Sequence, residues 1–155
     1  MARGIVESVA DEHIRARVGQ MEYLGHKLMD AAVPVVRPIS GHAVYRDARA
    51  FHPHLDQEQF PAQSLAAYLY EDCGVRAMER GIVSAGRARM SGQHHRRALE
   101  LVRLMIPRRV YTQAHMDLTA ESVIDVSARR SDARGLKMVY EPRYPRFFQA
   151  RFEHL

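Results

Sequence analysis

Arg103 is the residue in this chain whose surroundings most demand a chemical partner. It stands inside a strand-like apolar run, after Leu101 and Val102 and before Leu104, Met105 and Ile106. Taking a guanidinium out of water is costly unless an anion pairs with it, and its planar fork fits a carboxylate through two parallel hydrogen bonds. Arg103 is therefore a candidate anchor for an acidic ligand group. A strand-edge arginine that snorkels to solvent is the plainer reading, and the residues alone leave both open. Arg80, in Met78-Glu79-Arg80-Gly81, is a second candidate, because a neighbouring glycine lets backbone or ligand approach closely. Its plainer reading is a solvated Glu79–Arg80 pair in a turn. Met78 reads as a flexible gap-filler of the core. Phe147 and Phe148 read as core packing in a terminal strand, where adjacent side chains face opposite sides.

Other motifs are weaker. His52-x-His54 and His94-His95 lack the helical spacing and the cysteine companions of a zinc site, so they are expected to be solvated loop histidines. His115 follows a plausible N-cap at Thr112 and reads as a helix-start residue, and Ser84-Ala85-Gly86 reads as loop punctuation. No glycine-rich phosphate fingerprint and no nucleophile elbow occur. The single cysteine, Cys73, rules out an internal disulfide, fits a reducing cytoplasm and reads as a packing residue at a helix end.

The elements that must position these groups follow from the hydrophobic pattern. Ile14, Val18, Met21 and Leu28 recur at helical steps within a helix expected over about 5–32, which Pro34 stops. A strand is expected over 41–47, a loop over 52–61, and a helix from Pro61, tolerated at a first helical position, to before Gly74. Short extended pieces are expected around 75–78 and 82–83, then a mobile glycine- and arginine-rich loop over 84–97. A strand over 99–106 ends at Pro107, a helix runs from Thr112 to about Arg130, and strands near 136–140 and 147–152 finish the chain. Helices interleaved with a few strands indicate an α/β fold, here an α+β-like small domain.

One domain with a real core is what 155 residues allow. No apolar run approaches the ~20 residues of a membrane span, and no secretory leader is seen, so a soluble, cytoplasmic chain with no membrane partner is expected. The formal charge of +5 comes from 23 basic residues, all but Lys27 and Lys137 arginines. These arginines are scattered, with isolated pairs at Arg96-Arg97, Arg108-Arg109 and Arg129-Arg130, and no basic segment interleaves with aromatics. Charge alone is a weak nucleic-acid footprint, and no nucleic-acid partner is expected.

Six segments carry a resemblance over nearly the whole chain: GHAVYRDARAF (41–51), FPAQSLAAYLY (60–70), GVRAMERGIVSAGR (74–87), VRLMIPRRVYTQAHMD (102–117), RGLKMVYEP (134–142) and RFFQARF (146–152). In composition, order and spacing they resemble the C-terminal part of the tyrosine phenol-lyase and tryptophanase family of β-eliminating lyases, which use pyridoxal phosphate. The resemblance implies the C-terminal domain of a fold-type I, aspartate aminotransferase-like enzyme. Residues 1–32 would form a long interdomain helix and 33–155 the small domain, with the large cofactor domain absent and the chain opening at Met1 within an internal helix. It implies β-elimination of L-tyrosine to phenol, pyruvate and ammonia, in a homo-oligomer, a homotetramer in the family.

By the same resemblance Arg103 holds the substrate α-carboxylate, Arg80 contacts the phenol ring, and Met78, Phe147 and Phe148 line the aromatic pocket. Arg80 and Phe147 follow the tyrosine-cleaving branch of the family; the indole-cleaving branch, a tryptophanase-like alternative, is apolar at the first position and tends to histidine at the second. Neither Lys27 nor Lys137 matches the family's Schiff-base position, so a chain inactive alone is expected, with its large domain supplied in cis or trans. Met105 stands where threonine is usual, Ser40 where glycine is, and Arg46 where an apolar residue is, and Tyr144-Pro145 differs from the usual link into the final strand. A non-catalytic module that binds an amino acid or assembles with a partner is the remaining alternative.

Overall fold

The computed structural model describes residues 1–107 and 109–155, so Arg108 of the Arg108-Arg109 pair lies outside the described residues. Helix α1 (Ala2–Ser8) buries no side chain, and α2 (Asp11–Asp30) buries Met21, Leu24, Gly25 and Leu28. The single long helix expected over 5–32 is thus two, separated where Ala10 turns extended at ψ 134°. The cause is local: the Ser8 hydroxyl donates to the Ile5 carbonyl at 2.8 Å, and no apolar face of α1 is buried to hold the turn helical. The core face of α2 also lies further along than its first apolar positions, since Ile14 is exposed.

Strand β1 (Ala43–Asp47), α3 (Ala48–Phe51), α4 (Pro61–Cys73) and β2 (Met78–Arg80) follow. The Asp47 carboxylate accepts from the backbone N–H of Arg49 and Ala50 at 3.0 and 3.3 Å, starting α3 directly at the end of β1. Pro61 opens α4 and Gly74, at φ 69°, closes it, matching the expected start and stop. After β2 the chain forms a short helix, α5 (Ile82–Ala85), in place of the expected extended backbone at 82–83 and loop punctuation at 84–86. Residues 86–95 fold back on themselves, with an Arg87–His94 bridge and Ala88 N–H donating to the Gln93 carbonyl at 2.8 Å, so part of the expected mobile loop is a bonded turn.

Strand β3 (Leu101–Met105) is the centre of a three-stranded antiparallel sheet of order β1-β3-β2. Helix α6 (Gln113–Ala128) starts at Thr112, whose N–H donates to Nδ1 of His115 at 3.1 Å. Strands β4 (Leu136–Tyr140) and β5 (Arg151–His154) form a separate antiparallel pair. Between them lies a one-turn helix, α7 (Arg146–Gln149), so Phe147 and Phe148 sit on a helical turn and not in a strand as expected. The architecture is a mixed α/β one. Among the described residues no helix is long and apolar enough to cross a membrane.

One core joins α2, α4, α6 and the inner face of the sheet, through Leu24, Leu28, Leu65, Leu69, Val102 and Val123 among others. A second, smaller cluster of Phe60, Ile82, Val83 and Leu136, with Phe147 packed on it, joins α5 and α7 to the β4–β5 pair. Gly25 lets the first core close: a Cβ there would overlap the side chain of Ile39.

Two ionisable groups inside this core depart from expectation. His52 is fully buried, its Nδ1–H donating to the Arg130 carbonyl at 3.1 Å, and burial lowers its pKa to about 4. The expectation of a solvated His52 is corrected on that ground: a backbone carbonyl takes the Nδ1–H inside the fold, while Nε2 is buried with no hydrogen-bond partner among the described residues. Arg46 is also fully buried, and none of its three guanidinium nitrogens has a hydrogen-bond partner among the described residues. Its guanidinium stacks 4.2 Å from the centroid of Phe51, and burial lowers its pKa to about 9. A desolvated cation–π contact returns about 2 kcal/mol, less than the several kcal/mol that burying an ion costs.

Urea unfolding of the chain tests both groups. Arg46→Leu is expected to stabilise it by about 1–4 kcal/mol, the range for replacing buried charges with apolar side chains; a lower midpoint would show that the guanidinium has a partner. His52 has a depressed folded-state pKa, so its stabilisation is complete above pH 6.5 and is lost as pH falls toward about 4. Between pH 7 and pH 4.5 this group alone is expected to remove about 2–3 kcal/mol. The loss should vanish in His52→Gln; the same pH slope in that variant would rule His52 out as its source.

Candidate functional site

Strand pairing places three of the predicted residues together. In register, Tyr45 of β1, Arg103 of β3 and Met78 of β2 form one row across the sheet. Arg80 lies two positions beyond Met78 on the same face, opposite Leu101. Neighbouring strands are about 4.8 Å apart and same-face residues about 7 Å apart, so the four side chains rise from one small area. This is the outer face of the sheet, where Arg103, Met78 and Tyr45 are half-buried and Arg80 is exposed. The inner face carries Val44, Arg46, Val102, Leu104 and Glu79, all buried.

Arg103 is half-buried and not free in solvent. Its Nε is buried and has no hydrogen-bond partner among the described residues. Tyr45, not singled out in the sequence, flanks it on the side opposite Met78, and its hydroxyl hydrogen-bonds Nε2 of His42 at 3.2 Å. His42 in turn hydrogen-bonds the Ser40 hydroxyl through Nδ1 at 2.8 Å. The strand pattern alone could have found Tyr45, since it shares its face with Ala43; its pairing partner could not be read without the register.

The Met78-Glu79-Arg80-Gly81 stretch is not a solvated pair in a turn. Glu79 points inward, and its carboxylate accepts from the backbone N–H of Gly81 at 2.6 Å, Val83 at 3.1 Å and Ser84 at 2.9 Å. Glu100, just before β3, accepts from Ile82 N–H at 3.3 Å and from Gln57 Nε2 at 2.8 Å. Burial holds the carboxyls of Glu79 and Glu100 above the usual carboxylate range, against the pull of these donors, and Glu79 raises Glu100 further. A Cβ at Gly81 would overlap a carboxylate oxygen of Glu100, so a side chain there would force that carboxylate aside.

The phenylalanine pair stands one element away. Phe147 packs on the cluster that contains Ile82 and Val83 of α5, the helix into which Arg80 and Gly81 lead. Phe148 is 76% exposed, its ring edge-on to Phe147 at 5.0 Å between centroids. Arg146, largely buried beside them, donates from Nη2 to Nδ1 of His94 at 2.8 Å and lies 3.3 Å from Glu141 through Nε. Arg87 grips the same Glu141 carboxylate at 2.7–2.8 Å, which ties the 86–95 turn to the base of α7. A separate cleft of about 220 Å³, lined by Cys73, Leu104, Ile106, Tyr111 and Met116, touches none of the five predicted residues.

The lysines do not fit a pyridoxal phosphate site. That cofactor needs an amine able to lose its proton and an acid facing its ring nitrogen. Lys27 is ion-paired to Asp117 at 2.7 Å and Glu121 at 3.5 Å, and the hydrogen bond to Asp117 raises its pKa, favouring the ammonium form. Lys137 lies exposed on β4, in the other sheet. Among the described residues no cluster of metal-ligating side chains occurs.

The family model for β-eliminating lyases matches residues 4–122. The chain is 67% identical over 153 residues to the tyrosine phenol-lyase of Nostoc punctiforme. It is 60% identical over 153 residues to that of Symbiobacterium thermophilum and 58% over 154 residues to that of Clostridium tetani. Each alignment takes in 99% of this chain and 33–34% of the relative, so the chain spans about a third of the length of the curated relatives it matches.

The two kinds of glycine give a paired prediction. Gly81→Ala should destabilise the chain by about 1–3 kcal/mol through overpacking against Glu100. Gly19→Ala, in the exposed middle of α2 with nothing within 4 Å of the added Cβ, should stabilise it by about 0.5–1 kcal/mol. Urea midpoints of the two variants check both; equal shifts would contradict the close approach at Gly81.

Proposed function

Because the chain belongs to the β-eliminating lyase family, we propose that it supplies the substrate-facing part of a tyrosine phenol-lyase-type site. The reaction is β-elimination of L-tyrosine to phenol, pyruvate and ammonia. The observation that carries this reading is Arg103: a half-buried guanidinium whose Nε has no partner among the described residues, in register with Met78 and beside Arg80 on one sheet face.

On this reading Arg103 grips the substrate α-carboxylate through a bidentate pair. It holds ground and transition states alike, so it contributes binding and orientation. Arg80 stands where the phenol oxygen is presented. Before the bond between the ring and the side chain breaks, the ring must become ketone-like, and a guanidinium beside that oxygen favours the change. Arg80 therefore acts on the elimination step. Met78, Phe147 and Phe148 supply apolar surface for the ring.

The lysine and the pyridoxal phosphate belong, on the same reading, to polypeptide that this chain does not include, in cis or in trans. The chain is then the small domain of a fold-type I, aspartate aminotransferase-like enzyme, cytoplasmic and assembled as a homo-oligomer, and inactive alone.

Equilibrium dialysis of the chain against L-tyrosine tests the reading. Saturable binding is expected, and Arg103→Ala should weaken it about 10- to 100-fold, the worth of a charge-assisted pair. Absence of saturable binding, or unchanged binding by the variant, would remove the basis for the assignment.

A further inference from the structure

We propose that Glu79 is a positioning residue for Arg80, acting through the backbone of residues 81–84, and thereby sets preference for a hydroxylated ring. This rests on the reading of the outer sheet face as the substrate face. Arg80 is the residue between two clamped points. On one side β2 is paired in register with β3. On the other, the four successive backbone N–H groups from Gly81 to Ser84 are all taken by inward carboxylates, three by Glu79 and that of Ile82 by Glu100.

A four-residue helix has no intrinsic means of holding its own start. Its first N–H groups lack intrahelical acceptors, and a single turn fixes several dihedrals for very few bonds. The charge-assisted bonds from Glu79 replace that missing stability, each stronger than a neutral bond. Because Glu79 is adjacent to Arg80 and points to the opposite face, fixing one fixes the direction in which the other leaves the backbone. Arg80 itself is exposed, so packing contributes little to aiming it.

The two acids differ in how a substitution would be absorbed. Both oxygens of Glu79 accept backbone N–H groups, which cannot reverse their polarity. In Glu79→Gln an amide N–H₂ must therefore face a backbone N–H. Glu100 instead divides its oxygens between Ile82 N–H and the side-chain amide of Gln57. In Glu100→Gln the new amide keeps its oxygen on Ile82 N–H and turns its N–H₂ toward Gln57, whose Nε2 is also held by the Arg97 carbonyl at 3.0 Å, so the contact with Gln57 is lost while the bond to Ile82 survives. The proposal accordingly predicts a large effect from Glu79→Gln and a small one from Glu100→Gln.

The test uses two probes that differ by one hydroxyl, 3-(4-hydroxyphenyl)propionate and 3-phenylpropionate, titrated into the chain by NMR. The parent chain is expected to prefer the hydroxylated acid several-fold. Arg80→Ala and Glu79→Gln should each abolish that preference, the double variant should lose no more, and Glu100→Gln should retain it. Affinity for 3-phenylpropionate, which reports the grip of Arg103, should move less than twofold in all of them. Glu79→Gln that keeps the preference, or that weakens both probes equally as a merely structural residue would, overturns the proposal. Equal binding of the two probes by the parent chain also overturns it, while leaving the role of Arg103 intact. Failure of both probes to bind overturns the substrate face itself. Should Glu79→Gln not fold, hydrogen exchange on the parent chain decides: the hydroxylated probe alone should slow exchange at the amides of 81–84, and equal slowing by both counts against the proposal.

Discussion

The period-two alternation of β3, fixed by antiparallel neighbours on both sides, is the constraint on which the rest depends. Val102 and Leu104 face the helices, so Leu101 and Arg103 must face away from them. A slip of one residue would drive Arg103 into the core and expose Val102 and Leu104. The burial of two large aliphatic side chains, about 1.5–3 kcal/mol each, therefore enforces the presentation of the guanidinium. The same pairing decides the faces of β1 and β2 and so assembles the row of Tyr45, Arg103 and Met78. Arg103 owes its position to the apolar residues around it, which is why an arginine inside an apolar run is informative even as a bare sequence pattern.

The inner face of the same sheet handles charge in two ways. Glu79 and Glu100 are buried yet hydrogen-bonded, because a helix start offers an excess of N–H donors to an acid placed beneath it. Arg46, in the same sheet layer, finds no acceptor among the described residues and rests on the face of Phe51. The asymmetry is chemical. Strand and helix N–H groups left unpaired at an element end suit carboxylates, whereas the carbonyls around Arg46 are consumed by the ladder, as in Val36 N–H donating to Tyr45 at 2.8 Å. Arg46 thus adds a local cost to the fold without adding a hydrogen bond among the described residues.

Much of the architecture is legible in the sequence because its signals are local. Pro61 and Gly74 bracket α4, Thr112 starts α6, and Leu136–Tyr140 is a strand as expected. What escapes depends on partners distant in sequence. Helix α5 reads as extended from its β-branched Ile82-Val83, and its start is held by the inward Glu79, which accepts from Gly81, Val83 and Ser84, and by Glu100, far along the chain, which accepts from Ile82. His52 looks like a loop histidine until the Arg130 carbonyl is brought to it. Phe147 and Phe148 read as strand residues because the aromatic run continues toward Phe152; the chain instead turns once after Pro145 and enters β5 only at Arg151. For the candidate site, residue types are readable and their side of the sheet is not. Glu79, the acid that organises Arg80, reads in sequence as its solvated neighbour.

The two arginines of the outer face are held by unlike means, and this suits the unlike tasks proposed for them. Arg103 lies mid-strand in the centre of the sheet, its base fixed on both sides by ladder bonds, which suits a group that orients a substrate end throughout a reaction. Arg80 closes an edge strand of three residues and is steadied from beneath by hydrogen bonds to the turn that follows. An edge position leaves its side chain open to a partner surface, while the carboxylate beneath removes the backbone freedom that an edge normally keeps. Orientation at the sheet centre and adaptable reach at a clamped edge are complementary, and both arise from one strand register.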